Sequence, residues 1–176
     1  MSGEKHQRYR ALNRVCRQED RQCAFFSLPD PQYREPVPRH ATESRMKNHT
    51  EIKVRGYHLD LYGHVNNARY LEFIEEARWA LFEEHLGNLA AKGYSFFVVN
   101  ININYKSPAT LGDTIEIDSR ITRFGGKSCT LKQTMTKKGA GTPVVEADVT
   151  FVIAGPEGKA LPVEGDIRDM LEPFAA

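Results

Sequence analysis

One helix-like segment, set among segments of strict alternation, restricts the fold of this chain more than any other feature. The apolar residues that recur three and four positions apart are Tyr70, Phe73, Ile74, Ala77 and Leu81. This spacing places them on one helical face. Glutamates fill other positions, and Gly87 is placed to end the run. We therefore predict one long helix, and the additional apolar residues Trp79 and Phe82 predict that it contacts protein on more than one side.

Five segments show the period of two that is typical of strands. The first begins at Glu51, where Ile52, Val54 and Gly56 alternate with the residues between them. The four later segments span residues 96–106, 114–123, 128–137 and 144–153. Turn-forming residues at 112–113, 125–126 and 139–143 separate these four, and predict that hairpins link them.

The order of these elements predicts the architecture. One strand, one helix and then four antiparallel strands place the chain in the α+β class. A sheet with one apolar face must be covered, and only one amphipathic helix is available to cover it. We expect the sheet to wrap around that helix, and a short helix over residues 166–171 to follow the last strand.

Composition excludes several classes of protein. The 24 basic and 23 acidic residues give a net charge of +1, so the chain has no overall field that would favour nucleic acid. No apolar run is long enough to span a bilayer. The cysteines do not have the spacing of zinc ligands, and three cannot all pair within one chain. We expect a cytoplasmic protein without a metal ion or an organic cofactor.

The first 45 residues differ from the rest of the chain. They carry four prolines and no sustained apolar period, which predicts an N-terminal extension over residues 1–45 and a compact domain over residues 46–176. The extension has a net charge of +3, from nine basic and six acidic residues. A basic arm that contacts an anionic partner is the functional alternative to a simple solvated tail.

The densest group of reactive side chains lies at residues 58–70, between the first strand and the helix. Asn66 or Asn67 is a suitable helix N-cap, and the amides just inside a helix form a donor cluster that polarises a carbonyl. Asp60 lies a few residues upstream, where a folded loop would hold its carboxylate near the same point. We therefore expect a general base and an oxyanion site to converge here.

This segment resembles the hotdog-fold thioesterases of the 4-hydroxybenzoyl-CoA thioesterase family. The residues that match the family's acid, glycine and helix start are Asp60, Gly63, Val65, Asn66 and Asn67. Residues 52–58, 70–79 and 98–105 are similar to the bacterial long-chain acyl-CoA thioesterase III branch, and the likeness extends over residues 50–176. The resemblance implies a hotdog fold, in which a five-stranded antiparallel sheet wraps around one long central helix.

The resemblance also implies an activity, the hydrolysis of medium- to long-chain acyl-CoA to free acid and CoA. The residue matching Asp60 would act as general base or nucleophile, and amides at the helix start, at Val65, Asn66 and Asn67, would hold the thioester oxygen. His64 would position Asp60 or water, and Asn67 would orient the water.

Simpler structural roles remain open for the same residues. Asp60 is also suited to capping a turn, His64 to satisfying loop carbonyls, and Asn67 to capping the helix. His58, Asp60 and His64 would also form a partial metal site, although no fourth ligand is evident.

The phosphates of coenzyme A need cations, and the family places basic residues at the hairpin before the strand that starts near Ser128. Lys127 matches one of them, whereas Gly125 and Gly126 stand where a relative has arginines. The resemblance therefore implies that Lys127, Arg123 and Ser128 bind CoA, with Lys106 as a further cation.

The alternating strand Asn100–Asn104 presents a face of amides, and in hotdog proteins the corresponding strand pairs with its twin. This implies a homodimer or a tetramer, and pairing of the two strands also covers a long strand edge. Two other functions remain open: a non-catalytic module that binds acyl-CoA as a sensor, and a hotdog hydratase.

Overall fold

The computed structural model describes residues 48–176. The predicted extension over residues 1–45, its two cysteines and the alternative of a basic arm lie outside the described residues. Five strands and two α-helices make up the described part: β1 (His49–Lys53), α1 (Asn67–Ala91), β2 (Ser95–Tyr105), β3 (Thr114–Phe124), β4 (Cys129–Lys137), β5 (Pro143–Ala154) and α2 (Gly165–Leu171). Short 3₁₀ turns occupy Gly56–His58 and Glu172–Phe174.

The five strands form one antiparallel sheet with the order β1-β3-β4-β5-β2. β3, β4 and β5 are joined by hairpins, as predicted. The predicted hairpin at residues 112–113 is wrong, because β2 does not pair with β3. β3 already has β1 and β4 as neighbours, so β2 takes the free edge of β5 at the opposite side of the sheet.

Helix α1 packs against one face of this sheet. Its predicted stripe is buried throughout, and Ile74 has no exposed surface. The facing side chains of the sheet alternate in register, with isoleucines of β3, Leu131 and Met135 of β4 and Val149 of β5 fully buried or nearly so. Phe82 also packs inside, against Phe151 and Phe174. The α+β class and the sheet covering one long helix are confirmed.

Trp79 behaves differently from Phe82, since 56% of its surface remains exposed. The helix thus contacts protein mainly on the side that faces the sheet. No helix in the described part of the chain has the length and apolar character needed to cross a membrane.

The first strand ends earlier in the chain than predicted. β1 ends at Lys53, and the predicted strand positions Gly56 and Tyr57 lie in a 3₁₀ turn instead. His58 causes this, because its ring Nδ1 accepts the backbone N–H of Arg55 at 3.0 Å while its backbone N–H donates to the Arg55 carbonyl. Local side-chain bonding therefore replaces the strand ladder here.

The prediction that Gly87 ends the helix is also wrong. The helix continues to Ala91 because Leu89 becomes buried, and this burial outweighs the cost of about 1 kcal/mol for one internal glycine. The actual stop is Gly93, whose φ of 68° is left-handed. The N–H groups of Gly93 and Tyr94 donate to the carbonyls of Ala90 and Leu89 at 2.9 Å each, which is a Schellman ending.

Two glycine substitutions should therefore have opposite effects on stability. Gly93→Ala would force a side chain into a left-handed conformation, with its Cβ 3.0 Å from Pro156 Cγ, and should lower the free energy of unfolding by about 1–2 kcal/mol. Gly87→Ala has open space around its Cβ and should raise it by about 0.5–1 kcal/mol. Urea unfolding of both variants measures the pair, and equal signs would contradict this assignment of the helix end.

Candidate active site

The segment between β1 and α1 folds back on itself as a small, closed loop. Leu59 and Val65 form an isolated antiparallel bridge. Between them, the Asp60 N–H donates to the His64 carbonyl at 2.8 Å, and the Gly63 N–H donates to the Asp60 carbonyl at 3.1 Å. Gly63 has a φ of 75°, a conformation that glycine adopts without strain. The loop therefore holds Asp60 directly before the helix.

The Asp60 carboxylate caps the turn of this loop. Its Oδ1 accepts the N–H of Tyr62 at 2.9 Å and lies 3.4 Å from the N–H of His64. Its Oδ2 accepts no hydrogen bond from a described residue. The residue is half-buried, so one carboxylate oxygen is fixed by the backbone and the other is left for chemistry. Capping and catalysis are thus compatible roles for this side chain.

The start of α1 uses most of its own donors. Asn66 is the N-cap: its Oδ1 accepts the Ala68 N–H and its carbonyl accepts the Arg69 N–H, both at 2.9 Å. The Asn66 N–H donates to the His58 carbonyl. Among the described residues, the Asn67 N–H alone of these helix-start amides has no acceptor. The expected donor cluster is therefore reduced to one free amide, because the asparagine cap saturates its neighbours.

Val65 and Asn67 lie on opposite sides of this cap. Val65 is buried and its N–H donates to the Ala109 carbonyl at 2.9 Å, so it has no amide to offer a ligand. Asn67 is exposed at the first helical position. The His64 ring is exposed and makes no hydrogen bond to a described residue, while its backbone bridges to Thr110.

Two tyrosines and the connection between β2 and β3 support the loop, although none of them was predicted from the sequence to belong to the site. The Tyr70 hydroxyl accepts the N–H of the fully buried Ala109 at 2.9 Å. The Tyr105 hydroxyl donates to the Asn67 carbonyl at 3.2 Å. Burial is the main cause that raises the pKa of Tyr70, with smaller contributions from the Asp113 and Asp60 carboxylates. The only signal for these contacts in the sequence was the presence of one tyrosine, Tyr70, near the start of α1 and another, Tyr105, at the end of β2.

The Asp113 carboxylate fixes the end of the same connection. It accepts the Thr110 N–H at 2.8 Å and pairs with Lys137 at 2.9 Å. The hydrogen bond from the Thr110 backbone is the main cause that lowers the Asp113 pKa, and Lys137 adds to it. The Asp113 carboxylate therefore has a structural role, since it holds Thr110 and Lys137 in place.

The alternative metal site does not form from the residues that suggested it. His58 is buried, its ring packs edge-on against Phe73 at 4.9 Å, and its Nδ1 is already occupied by the Arg55 N–H. Burial is the main cause that lowers the His58 pKa. Among the described residues, the group whose ligand atoms do approach one another is His49, Glu51 and Glu116, at the β1 edge of the sheet.

The predicted CoA-binding residues lie far from Asp60 within one chain. Arg123, Lys127 and Ser128 surround the β3–β4 turn, where the Gly125 N–H donates to the Ser128 carbonyl. Asp60 and Asp113 are near the opposite end of β3, which is roughly 30 Å long. Lys106 instead follows Tyr105 at the same end as the helix start, and its Nζ lies 3.5 Å from Glu146. The structure therefore brings Lys106, but not Lys127, to the side of Asp60.

The sequence model of the thioesterase-like superfamily matches residues 54–171, which include the loop, the helix and all four later strands. The chain belongs to this superfamily. The predicted hotdog fold is thereby confirmed, and the matched span begins just after β1.

Individual members of the superfamily are similar over most of the described chain. The long-chain acyl-CoA thioesterase FadM of Escherichia coli K12 is 51% identical over 126 residues, which cover 70% of this chain and 96% of FadM. The crystal structure of YbaW, a probable thioesterase from E. coli, superposes with a TM-score of 0.69 at 48% identity, covering 73% of this chain and 99% of that one. A thioesterase from Thermus thermophilus, solved with coenzyme A and Zn, gives a TM-score of 0.64 at 25% identity, covering 73% and 94% of the two chains.

The two supporting tyrosines should differ in their effect on stability. Tyr70→Phe removes the acceptor of the buried Ala109 N–H and should lower the free energy of unfolding by about 1–3 kcal/mol. Tyr105→Phe, the matched control, removes a hydroxyl from a side chain that is 47% exposed and should change it by less than about 0.5 kcal/mol. Urea unfolding compares the two, and an undiminished stability of Tyr70→Phe would contradict the proposed support.

Proposed function

We propose that this protein hydrolyses acyl-CoA thioesters to the free acid and CoA, with Asp60 as the acid–base group or nucleophile. The observation that carries the proposal is that one carboxylate oxygen, Asp60 Oδ2 in the closed loop, and one helix-start amide, the Asn67 N–H just after it, have no hydrogen bond to a described residue. The similarity to FadM, which is named as a long-chain acyl-CoA thioesterase, supports the reaction and the long acyl chain.

In the general-base route, Asp60 Oδ2 takes a proton from water as the water oxygen bonds to the thioester carbon. The Asn67 amide and the positive end of the helix dipole stabilise the carbonyl oxygen as it becomes negative. The C–S bond then breaks, and the thiolate of CoA takes the proton back from Asp60. Base catalysis contributes about 10²- to 10⁴-fold, and one oxyanion donor contributes about 2.7–4 kcal/mol.

In the nucleophilic route, Oδ2 itself bonds to the thioester carbon and the CoA thiolate leaves. Water then hydrolyses the resulting acyl-aspartyl anhydride and restores the carboxylate. The two routes share the same oxygen, because Oδ1 is bound by the loop amides in both. His64, exposed beside Asp60, would position the carboxylate or water in either route.

We further propose that the working unit is a homodimer, formed through the outer edge of β2. Within the described residues this eleven-residue strand pairs on one side only, with β5. Phe97, Val98 and Val99 are exposed there by 52%, 44% and 58%, and the three asparagines of the strand are exposed as well. A long, exposed strand edge of this kind is a template for pairing with another chain.

A second chain would also resolve the distance between Asp60 and the candidate CoA ligands. Lys127, Arg123 and Ser128 lie roughly 30 Å along β3 from the helix start of their own chain. We propose that they bind the CoA phosphates of a site on another subunit, while Lys106 serves the site of its own chain.

The first test is Asp60→Asn, which should lower kcat at least about a hundredfold while leaving the fold intact. The asparagine Oδ1 can still accept the N–H groups of Tyr62 and His64, so the loop is retained. Thiol release from palmitoyl-CoA, followed with a thiol reagent, measures the rate. The control is Asp118→Asn, which removes an exposed carboxylate on β3.

Near-normal hydrolysis by Asp60→Asn would exclude the catalytic assignment. Binding of palmitoyl-CoA without any thiol release by the unaltered protein would instead identify the non-catalytic sensor.

The second test is Val99→Lys. The β2–β5 register skips this residue at a bulge, so its substitution leaves the ladder within the chain intact. A lysine at the exposed edge should convert the dimer to a monomer at micromolar concentration. Thr122→Lys is the matched control, because Thr122 is the exposed, skipped residue of a bulge on the internal strand β3. Sedimentation measures both, and a monomeric unaltered protein would contradict the proposal.

A further inference from the structure

A cavity of about 340 Å³ lies between α1 and the strands β2 and β5. Its walls are largely apolar and include the aromatic residues Trp79, Phe82, Phe96 and Phe151. Pockets that bind small molecules are apolar, have volumes of about 300–1,000 Å³ and carry a few placed polar groups. The size and lining of this cavity therefore suit an alkyl chain.

Arg78 is a cation in the wall of this apolar cavity. Its Nη1 donates to Gln133 Oε1 at 3.0 Å. Gln133 has no exposed surface, and its Nε2 donates to the Ile74 carbonyl at 3.0 Å and to Ser119 Oγ at 2.9 Å. This chain of bonds fixes the guanidinium between the helix and the sheet, so its position does not depend on a ligand.

The Arg78 guanidinium has more donors than acceptors. It offers five N–H groups, and the bond to Gln133 is its one hydrogen bond within residues 48–176. No carboxylate in that range lies within ion-pair distance of it. Glu75, one turn earlier on α1 and also in the cavity wall, favours the charge from farther away, while burial is the main cause that lowers the Arg78 pKa.

Resting on the proposed function, we propose that this cavity receives the distal part of the acyl chain and that Arg78 there donates a hydrogen bond to an oxygen carried by the chain. The distance sets the position of that oxygen. Arg78 follows Asn67 by eleven residues on α1, about 16 Å along the helix axis. The oxygen therefore belongs to the middle or end of a long chain, and not to the carbons next to the thioester.

A hydroxyl group on the acyl chain can hydrogen-bond to both charged residues of the cavity wall, Arg78 and Glu75. It accepts a hydrogen bond from the Arg78 guanidinium and has one proton to donate to the Glu75 carboxylate. A plain alkyl chain at the same place would cover unpaired donors and remove them from water, which is costly for a charged group. The cavity thus distinguishes an oxygenated chain from an alkyl chain of equal length.

The experiment compares ricinoleoyl-CoA with oleoyl-CoA, which differ by one mid-chain hydroxyl group. We expect the full chain to hydrolyse ricinoleoyl-CoA with a kcat/KM about tenfold higher. Arg78→Met keeps the length of the side chain but removes the donors, and should bring the ratio near one. Arg78→Lys keeps a charged donor and should retain part of the preference. β-Hydroxypalmitoyl-CoA against palmitoyl-CoA is the positional control, with an expected ratio near one.

The ratio separates recognition from a purely structural role. If Arg78 only supports the fold through Gln133, Arg78→Met lowers both rates and leaves their ratio unchanged, which overturns the proposal. Equal rates for ricinoleoyl-CoA and oleoyl-CoA in the unaltered protein overturn it too, and leave the proposed function standing. If neither substrate releases thiol, the proposed function fails and this inference fails with it.

Discussion

The burial of one helix against one face of the sheet is the constraint on which the rest of this structure depends. α1 presents Phe73, Ile74, Ala77 and Leu81 to the alternating side chains of β3, β4 and β5, and these contacts form the hydrophobic core of the described chain. The direction and depth of the helix follow from this packing. Its N-terminus consequently lies at a fixed point, where the loop from β1 and the connection from β2 to β3 meet.

That fixed point explains why so few residues are enough to build the candidate site. The loop around Asp60 closes on its own backbone, the connection supplies Ala109 as a buried partner for Val65 and Tyr70, and Asn66 caps the helix. These bonds engage most of the backbone polar groups of the loop. Two groups that have no hydrogen bond to a described residue, one oxygen of Asp60 and the backbone N–H of Asn67, are of opposite character, as a thioester hydrolase requires for its base and its oxyanion donor.

The same helix carries polar groups along its length that the core does not need. Arg78 reaches the sheet through Gln133, and the apolar space beside it lies next to the edge of β2 that no other described strand covers. The reaction is therefore proposed for the N-terminal end of α1, and the acyl chain for the cavity farther along the same helix, beside the proposed dimer edge. A polar network held under a helix can select among substrates, because an apolar ligand cannot satisfy it.

The sequence by itself determined the local features: the helix face, the Asn66 cap, the four later strands, the class of fold and the family resemblance. Each depends on periodicity or on residues close together in the chain. Only the tertiary structure decided that β2 pairs with β5 and not with β3, that α1 runs past Gly87, that Lys127 lies far from Asp60, and that Arg78 meets Gln133. These outcomes depend on contacts between segments that are distant in sequence. Such contacts are chosen by which strand edges and apolar surfaces remain free, and no local pattern contains that information.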